Sequence, residues 1–147
     1  MAPKNGRLHI AVAALVSGAL LAQSLPEGKG RAELENLCTS CHGLETVTHA
    51  RNTPRSWKPL VDDMIARGGT GTDDQAQLIV DYLSRNFGVP VNVNTATDKQ
   101  LQEGLDATAT EAAAIIKNRP YKELGDLLRV PGANAEKLRQ MSANITF

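Results

Sequence analysis

The chain has 147 residues, with 16 Lys and Arg balanced by 16 Asp and Glu; 41% of it is hydrophobic and only 3% aromatic. That length holds one ordinary domain or two small ones. The absence of a basic surplus argues against a general nucleic-acid protein. So few rings make a thin core, which a large flat apolar cofactor would fill.

The first 24 residues read as an export signal. Lys4 and Arg7 form a basic start, and an apolar run from Ile10 to Ala22 follows, interrupted by Ser17 and Gly18. The run is short for a bilayer span, so a cleaved signal is expected rather than a membrane anchor. Ala22 and Ser24 are small residues suited to cleavage near Ser24. Cleavage takes two of the 16 basic residues, leaving 14 against 16 acidic. It also leaves no integral membrane span.

Residues 25–88 form a first segment. A helix is expected over Glu27–Leu37, leading straight into Cys38-Thr39-Ser40-Cys41-His42. After a loop at Arg51–Pro54, the spacing of Trp57, Leu60, Val61 and Met64 predicts a helix over Trp57–Ala66. Pro59 is placed in its first turn, where a missing N–H costs little. Gly68–Gly71 ends that helix, and Thr72 and Asp73 start another over Asp74–Phe87, with Leu78, Tyr82 and Leu83 turned inward. Gly88 stops it, and Val89-Pro90 is a short linker.

Residues 91–147 form a second segment of short helices. Thr97 and Gln100 are spaced as a capping box. Helices are expected over Thr110–Arg119 and Tyr121–Arg129, and a last one with Asn134 as N-cap and Leu138 facing inward. No strong strand pattern occurs, so the fold class is expected to be all-α.

The chemistry is concentrated in Cys38-x-x-Cys41-His42. Placed on a helix, residues three and four apart share a face. Two thiols then meet the two vinyl groups of one haem, and the imidazole meets its iron from the same side. This spacing is the c-type haem attachment signature. Two cysteines three apart in an exported chain make a poor structural disulfide. A thioredoxin-like dithiol lacks its βαβ setting, and a zinc site lacks further ligands.

With these residues in view, Glu27–Gly88 resembles a short monohaem cytochrome c of the bacterial periplasmic type. The matching pieces are Gly28-Lys29-Gly30, Cys38–Leu44, Thr53-Pro54 with Trp57, Asp62–Ile65 and Ile79–Leu83. The resemblance implies that the first and last helices pack together and that a methionine is the second axial ligand. Many such cytochromes carry it in a Met-Pro loop before the final helix, but Gly68–Thr72 contains no methionine. The remaining candidates are Met64, His49 and Met141. Met64 shares the helical face of Trp57, Leu60 and Val61 and is the expected iron ligand opposite His42. Ordinary core packing of Met64, with an open sixth position, is the alternative.

Val91–Phe147 resembles a double helix-hairpin-helix domain of the competence ComEA-like type. It matches through Val93–Ala96, Ala112–Arg119, Pro120-Tyr121, Asp126–Leu128 and Val130–Gly132. DNA-binding members of that family turn hairpin N–H groups towards a phosphate. This segment departs from the pattern. Its first hairpin, Glu103–Thr108, has one glycine where two are usual and carries Glu103 and Asp106. Seven Lys and Arg against seven Asp and Glu give no surplus for phosphate. DNA binding is therefore not expected. Protein contact is, through whichever of Leu124, Leu127 and Leu128 are not buried.

The sequence thus leads to a small cytochrome c fold followed by a double helix-hairpin-helix domain. The expected function is periplasmic electron transfer by one covalently bound haem c. The expected partners are redox proteins such as a periplasmic dehydrogenase or a terminal acceptor, and no enzymatic constellation is present. The alternative is a DNA-associated or docking protein in which haem is a sensing or structural group.

Overall fold

The computed structural model describes residues 25–147, so the export signal expected over 1–24 lies outside the described residues. The fold is all-α. Four helices form the first segment: α1 (Arg31–Cys38), α2 (Glu45–Thr48), α3 (Pro54–Ala66) and α4 (Asp73–Phe87). Four more form the second: α5 (Asp98–Gly104), α6 (Ala109–Lys117), α7 (Leu124–Leu128) and α8 (Ala135–Gln140), closed by a 3₁₀ turn at Ser142–Asn144.

Local chemistry sets most boundaries. Thr53 accepts from the Ser56 N–H at 3.3 Å and Pro54 follows it at N1, so α3 begins three residues earlier than apolar spacing suggests. Pro59 therefore lies inside the helix, not in its first turn. It removes the N–H that the Arg55 carbonyl would otherwise accept. Thr72 and Gln75 form a reciprocal capping box that starts α4, with Asp73 and Asp74 in its first turn. The α4 face buries Ile79, Val80, Tyr82, Leu83 and Phe87, while Leu78 is only half-buried.

Helix α1 begins at Arg31 rather than Glu27, after a left-handed Gly30 with φ of 97°. A side chain there would be strained by that φ. It would also approach the Tyr82 Cβ to 2.8 Å, so the glycine lets α1 lie close against α4. The Tyr82 hydroxyl donates to the Pro26 carbonyl at 2.6 Å and ties the chain before α1 to the same helix. Leu34, Leu37, Trp57, Val61, Ile79 and Leu83 meet in one apolar core.

A second core gathers Val93, Leu101, Leu105, Ala112, Ile115, Leu127, Leu138 and Ile145. Two strands too short to leave a periodic signal, β1 (Val91–Asn92) and β2 (Ile145–Thr146), pair in parallel and join the segment's two ends. Capping boxes at Thr97/Gln100 and Thr108/Glu111 start α5 and α6, and Asn134 caps α8. Helix α7 covers only part of the Tyr121–Arg129 stretch. Tyr121 is instead held in the core by its hydroxyl, which donates to the Ile115 carbonyl at 2.6 Å. Leu127 is fully buried, which removes it from any docking surface, while Leu124 and Leu128 are partly buried against the same core. Among the described residues no helix is long and apolar enough to cross a membrane.

Candidate haem crevice

Cys38 is the last residue of α1, so the CxxCH motif straddles a helix end instead of lying within a helix. The chain then turns: the Cys41 and His42 N–H groups both reach back to the Cys38 carbonyl, at 3.5 and 3.3 Å. Ser40 Oγ donates to the Leu37 carbonyl at 2.9 Å and helps hold the turn. A tight turn keeps near neighbours together much as a helical turn does. Cys38 points into the core, 9% exposed, while Cys41 is exposed and His42 half-buried. Burial pushes the Cys38 thiol up from its ordinary value.

His42 Nδ1 lies 3.1 Å from the Gly43 carbonyl. A donor Nδ1–H in that contact fixes the tautomer with a free Nε2 lone pair, the form an imidazole needs to bind a metal.

Cys38 and His42 form one wall of an apolar crevice of about 140 Å³, with Leu37 and Val47 beside them. Helix α3 contributes Trp57, Leu60, Val61 and Met64 to the same lining, and α4 contributes Leu83. Met64 is 38% exposed and Leu60 44%, high values for large apolar side chains. A porphyrin is larger than the crevice, so seating one requires these α3 side chains to rearrange. Of the three candidates for a second axial ligand, Met64 lines the crevice with His42. His49 is exposed and outside its lining, and Met141 is packed in the second core.

The helical spacing that groups Trp57 with Val61 agrees with its burial at 4% exposure but carries no information on the polar end of the ring. Trp57 lines the largely apolar crevice, and its Nε1 is buried with no hydrogen-bond partner. A buried N–H without an acceptor costs about 1–3 kcal/mol. A carboxylate such as a haem propionate would satisfy it. The donor set therefore fits the group: the Cys38 thiol, an imidazole, a thioether and a tryptophan with a buried N–H belong to one apolar lining, and the second thiol, Cys41, is exposed in the turn beside it. On the surface of α3, Lys58 is tied to Asp62 at 2.8 Å. Among the described residues no group of three or more His, Cys, Asp and Glu converges on a metal-sized site.

In the second segment the first hairpin joins α5 to α6, with Asp106 at its tip in the left-handed region at φ of 50°. Glu111 accepts the Thr108 N–H at 2.7 Å and lies 3.8 Å from Lys137. These contacts hold its carboxyl below the ordinary range, the Thr108 backbone bond foremost. The second hairpin joins α7 to α8 and turns at Gly132, φ 88°.

Residues 86–146 match the helix-hairpin-helix motif family. The chain is 29% identical over 63 residues to photosystem II extrinsic protein U of Microcystis aeruginosa, covering 43% of this chain and 47% of that protein. It thus spans about half the length of this curated relative. No solved structure matches.

Proposed function

We propose that this chain is an exported, periplasmic electron-transfer protein that carries one covalently attached haem c. One observation carries the reading: Cys38 and His42 of the CxxCH motif and Met64, distant in sequence, line one apolar crevice, with Cys41 exposed beside it in the same turn. Cys38 and Cys41 would attach the group through thioether bonds, His42 Nε2 and Met64 Sδ would bind its iron, and Trp57 Nε1 would donate to a propionate. Bound haem supplies a one-electron iron centre. The protein's part is to hold that centre, keep water from its inner face with Leu37, Val47, Val61 and Leu83, and tune it. A thioether ligand raises the potential relative to two imidazoles. With both axial residues in place no position is left for a substrate, which favours electron transfer over catalysis. The partners proposed are a periplasmic dehydrogenase or a terminal acceptor.

The test is maturation in a host with c-type haem assembly. The mature protein should retain its haem through acid–acetone extraction and gain one haem in mass. Cys38→Ala or Cys41→Ala should weaken attachment. His42→Ala should disrupt ligation, and Met64→Ala should remove the long-wavelength thioether–iron band and lower the potential. A haem-free mature protein with two reduced thiols would sink the proposal.

The helix-hairpin-helix match supports a second reading, a docking or DNA-associated role for the C-terminal segment. Its even charge balance favours docking over DNA. The relative's description as an extrinsic protein of a photosystem is in keeping with attachment to a larger assembly.

A further inference from the structure

The seam between the two segments holds contacts that a flexible tether would not need. The linker is only Val89-Pro90. On one side stand the start of α3 and the end of α4; on the other stand the first hairpin and the turn at Ser142–Asn144.

The last turn of a helix leaves carbonyls without donors of its own. In α4 the Ser84 carbonyl receives the side-chain amide of Asn144, sixty residues away. The Phe87 carbonyl receives the Asn52 N–H at 3.3 Å. Asn144 is 5% exposed, and a Cβ on Gly88 would collide with its amide. The C-terminal segment therefore caps a helix of the haem-side segment at a buried point.

A second anchor is charged. Asp106 at the hairpin tip lies 3.7 Å from Arg55 Nε of α3. Arg55 also donates to the Ala107 carbonyl at 3.3 Å. Lys137 of α8 donates to the Asp106 carbonyl at 2.7 Å and braces the tip from behind. The hairpin tip faces α3, and an acidic residue there complements Arg55 where a phosphate would require the opposite sign.

We infer that the first hairpin and the C-terminal turn are an internal dock, whose partner is the chain's own α3 and α4. The two segments form one rigid unit, anchored by Asn144 and set in register by Arg55 and Asp106. Arg55 of α3 reaches the hairpin tip, where a nucleic-acid backbone would otherwise approach. This inference does not depend on haem. The buried amide is the stronger anchor, because its loss leaves a carbonyl unpaired. The partly exposed ion pair contributes less.

Backbone ¹⁵N relaxation on the full mature protein, in its reduced form if haem is bound, tests the dock. The wild type should show one tumbling time for residues 25–88 and 91–147. Asn144→Ala combined with Asp106→Asn, which keeps a residue tolerant of the left-handed tip, should lose that common tumbling time. Arg55→Ala and Asp106→Asn should each change the unfolding equilibrium in a non-additive way, with a coupling of about 2- to 5-fold. These single variants alter only part-exposed groups and leave both cores intact. Two tumbling times in the wild type would overturn the inference, as would a common tumbling time in the combined variant. Strict additivity of Arg55→Ala and Asp106→Asn would remove the charged anchor.

Discussion

Replacing Trp57 by Phe isolates the buried, unpartnered N–H of a residue that lines the crevice. Phe keeps a ring against Val61 and Leu83, so the cavity it leaves is small beside that of Trp57→Ala, for which about 3–5 kcal/mol is expected. What Phe removes is Nε1–H, which is buried and finds no acceptor within the protein. In haem-free protein that deletion should be neutral or slightly stabilising, since it abolishes a penalty of about 1–3 kcal/mol and offsets the lost ring area. In haem-loaded protein the same change should cost about 1.5–3 kcal/mol, the range for a hydrogen bond to a charged acceptor. For a mature chain of this size that is a fall in Tm of roughly 5–15 °C. Thermal melts followed by circular dichroism, with the Soret band reporting haem retention, give both values. A haem-loaded Trp57→Phe protein as stable as wild type would refute the reasoning, because Nε1 would then have no acceptor in the loaded state either.

Three further outcomes follow from the same geometry. In reduced, haem-free protein, Cys41 should alkylate faster than Cys38, because Cys41 is exposed while Cys38 is buried with its thiol pushed up; peptide mass mapping at short times reads the order. Glu111→Gln should lower stability by about 0.5 kcal/mol at pH 7 through lost interaction with the α6 N-terminus. Because the folded-state pKa of Glu111 is depressed, its contribution is present above the ordinary glutamate value of about 4.3 and is lost as pH falls through the lower folded value. Urea melts of the two proteins should therefore converge at acid pH, and a pH-independent difference would contradict the assignment. Full mature protein should not bind labelled duplex DNA with sub-micromolar affinity at about 150 mM salt. Tight binding with a steep salt slope in fluorescence anisotropy would restore the DNA-associated reading.

Much of this protein is written in local sequence. Thr72 with Gln75, Thr97 with Gln100 and Asn134 before α8 act within a single turn, so these helix starts are legible without a fold. The all-α class is equally local, since spaced apolar residues and caps agree along the chain. The CxxCH spacing is likewise local and needs no tertiary information to suggest its chemistry. Where local reasoning erred, a neighbouring signal outranked it. Thr53-Pro54 starts α3 early and moves Pro59 inside the helix, and the left-handed Gly30 delays α1.

What only the tertiary structure decided involves residues far apart in the chain. Helical spacing put Met64 on the face of Trp57, but only tertiary packing brought that face into one crevice with His42. The orphaned Trp57 N–H is a property of its surroundings, as any Trp reads equally well as packing until its neighbours are known. Leu127 reads equally well as core or as contact surface in the sequence, and only the second core, closing over it, decides. Asn144 carries no sequence signal at all. Its amide has a role only because the Ser84 carbonyl, sixty residues earlier, ends a helix beside it. Local hydrogen bonds and spacing are encoded within a few residues, whereas burial and long-range partners exist only once the chain has brought distant segments together.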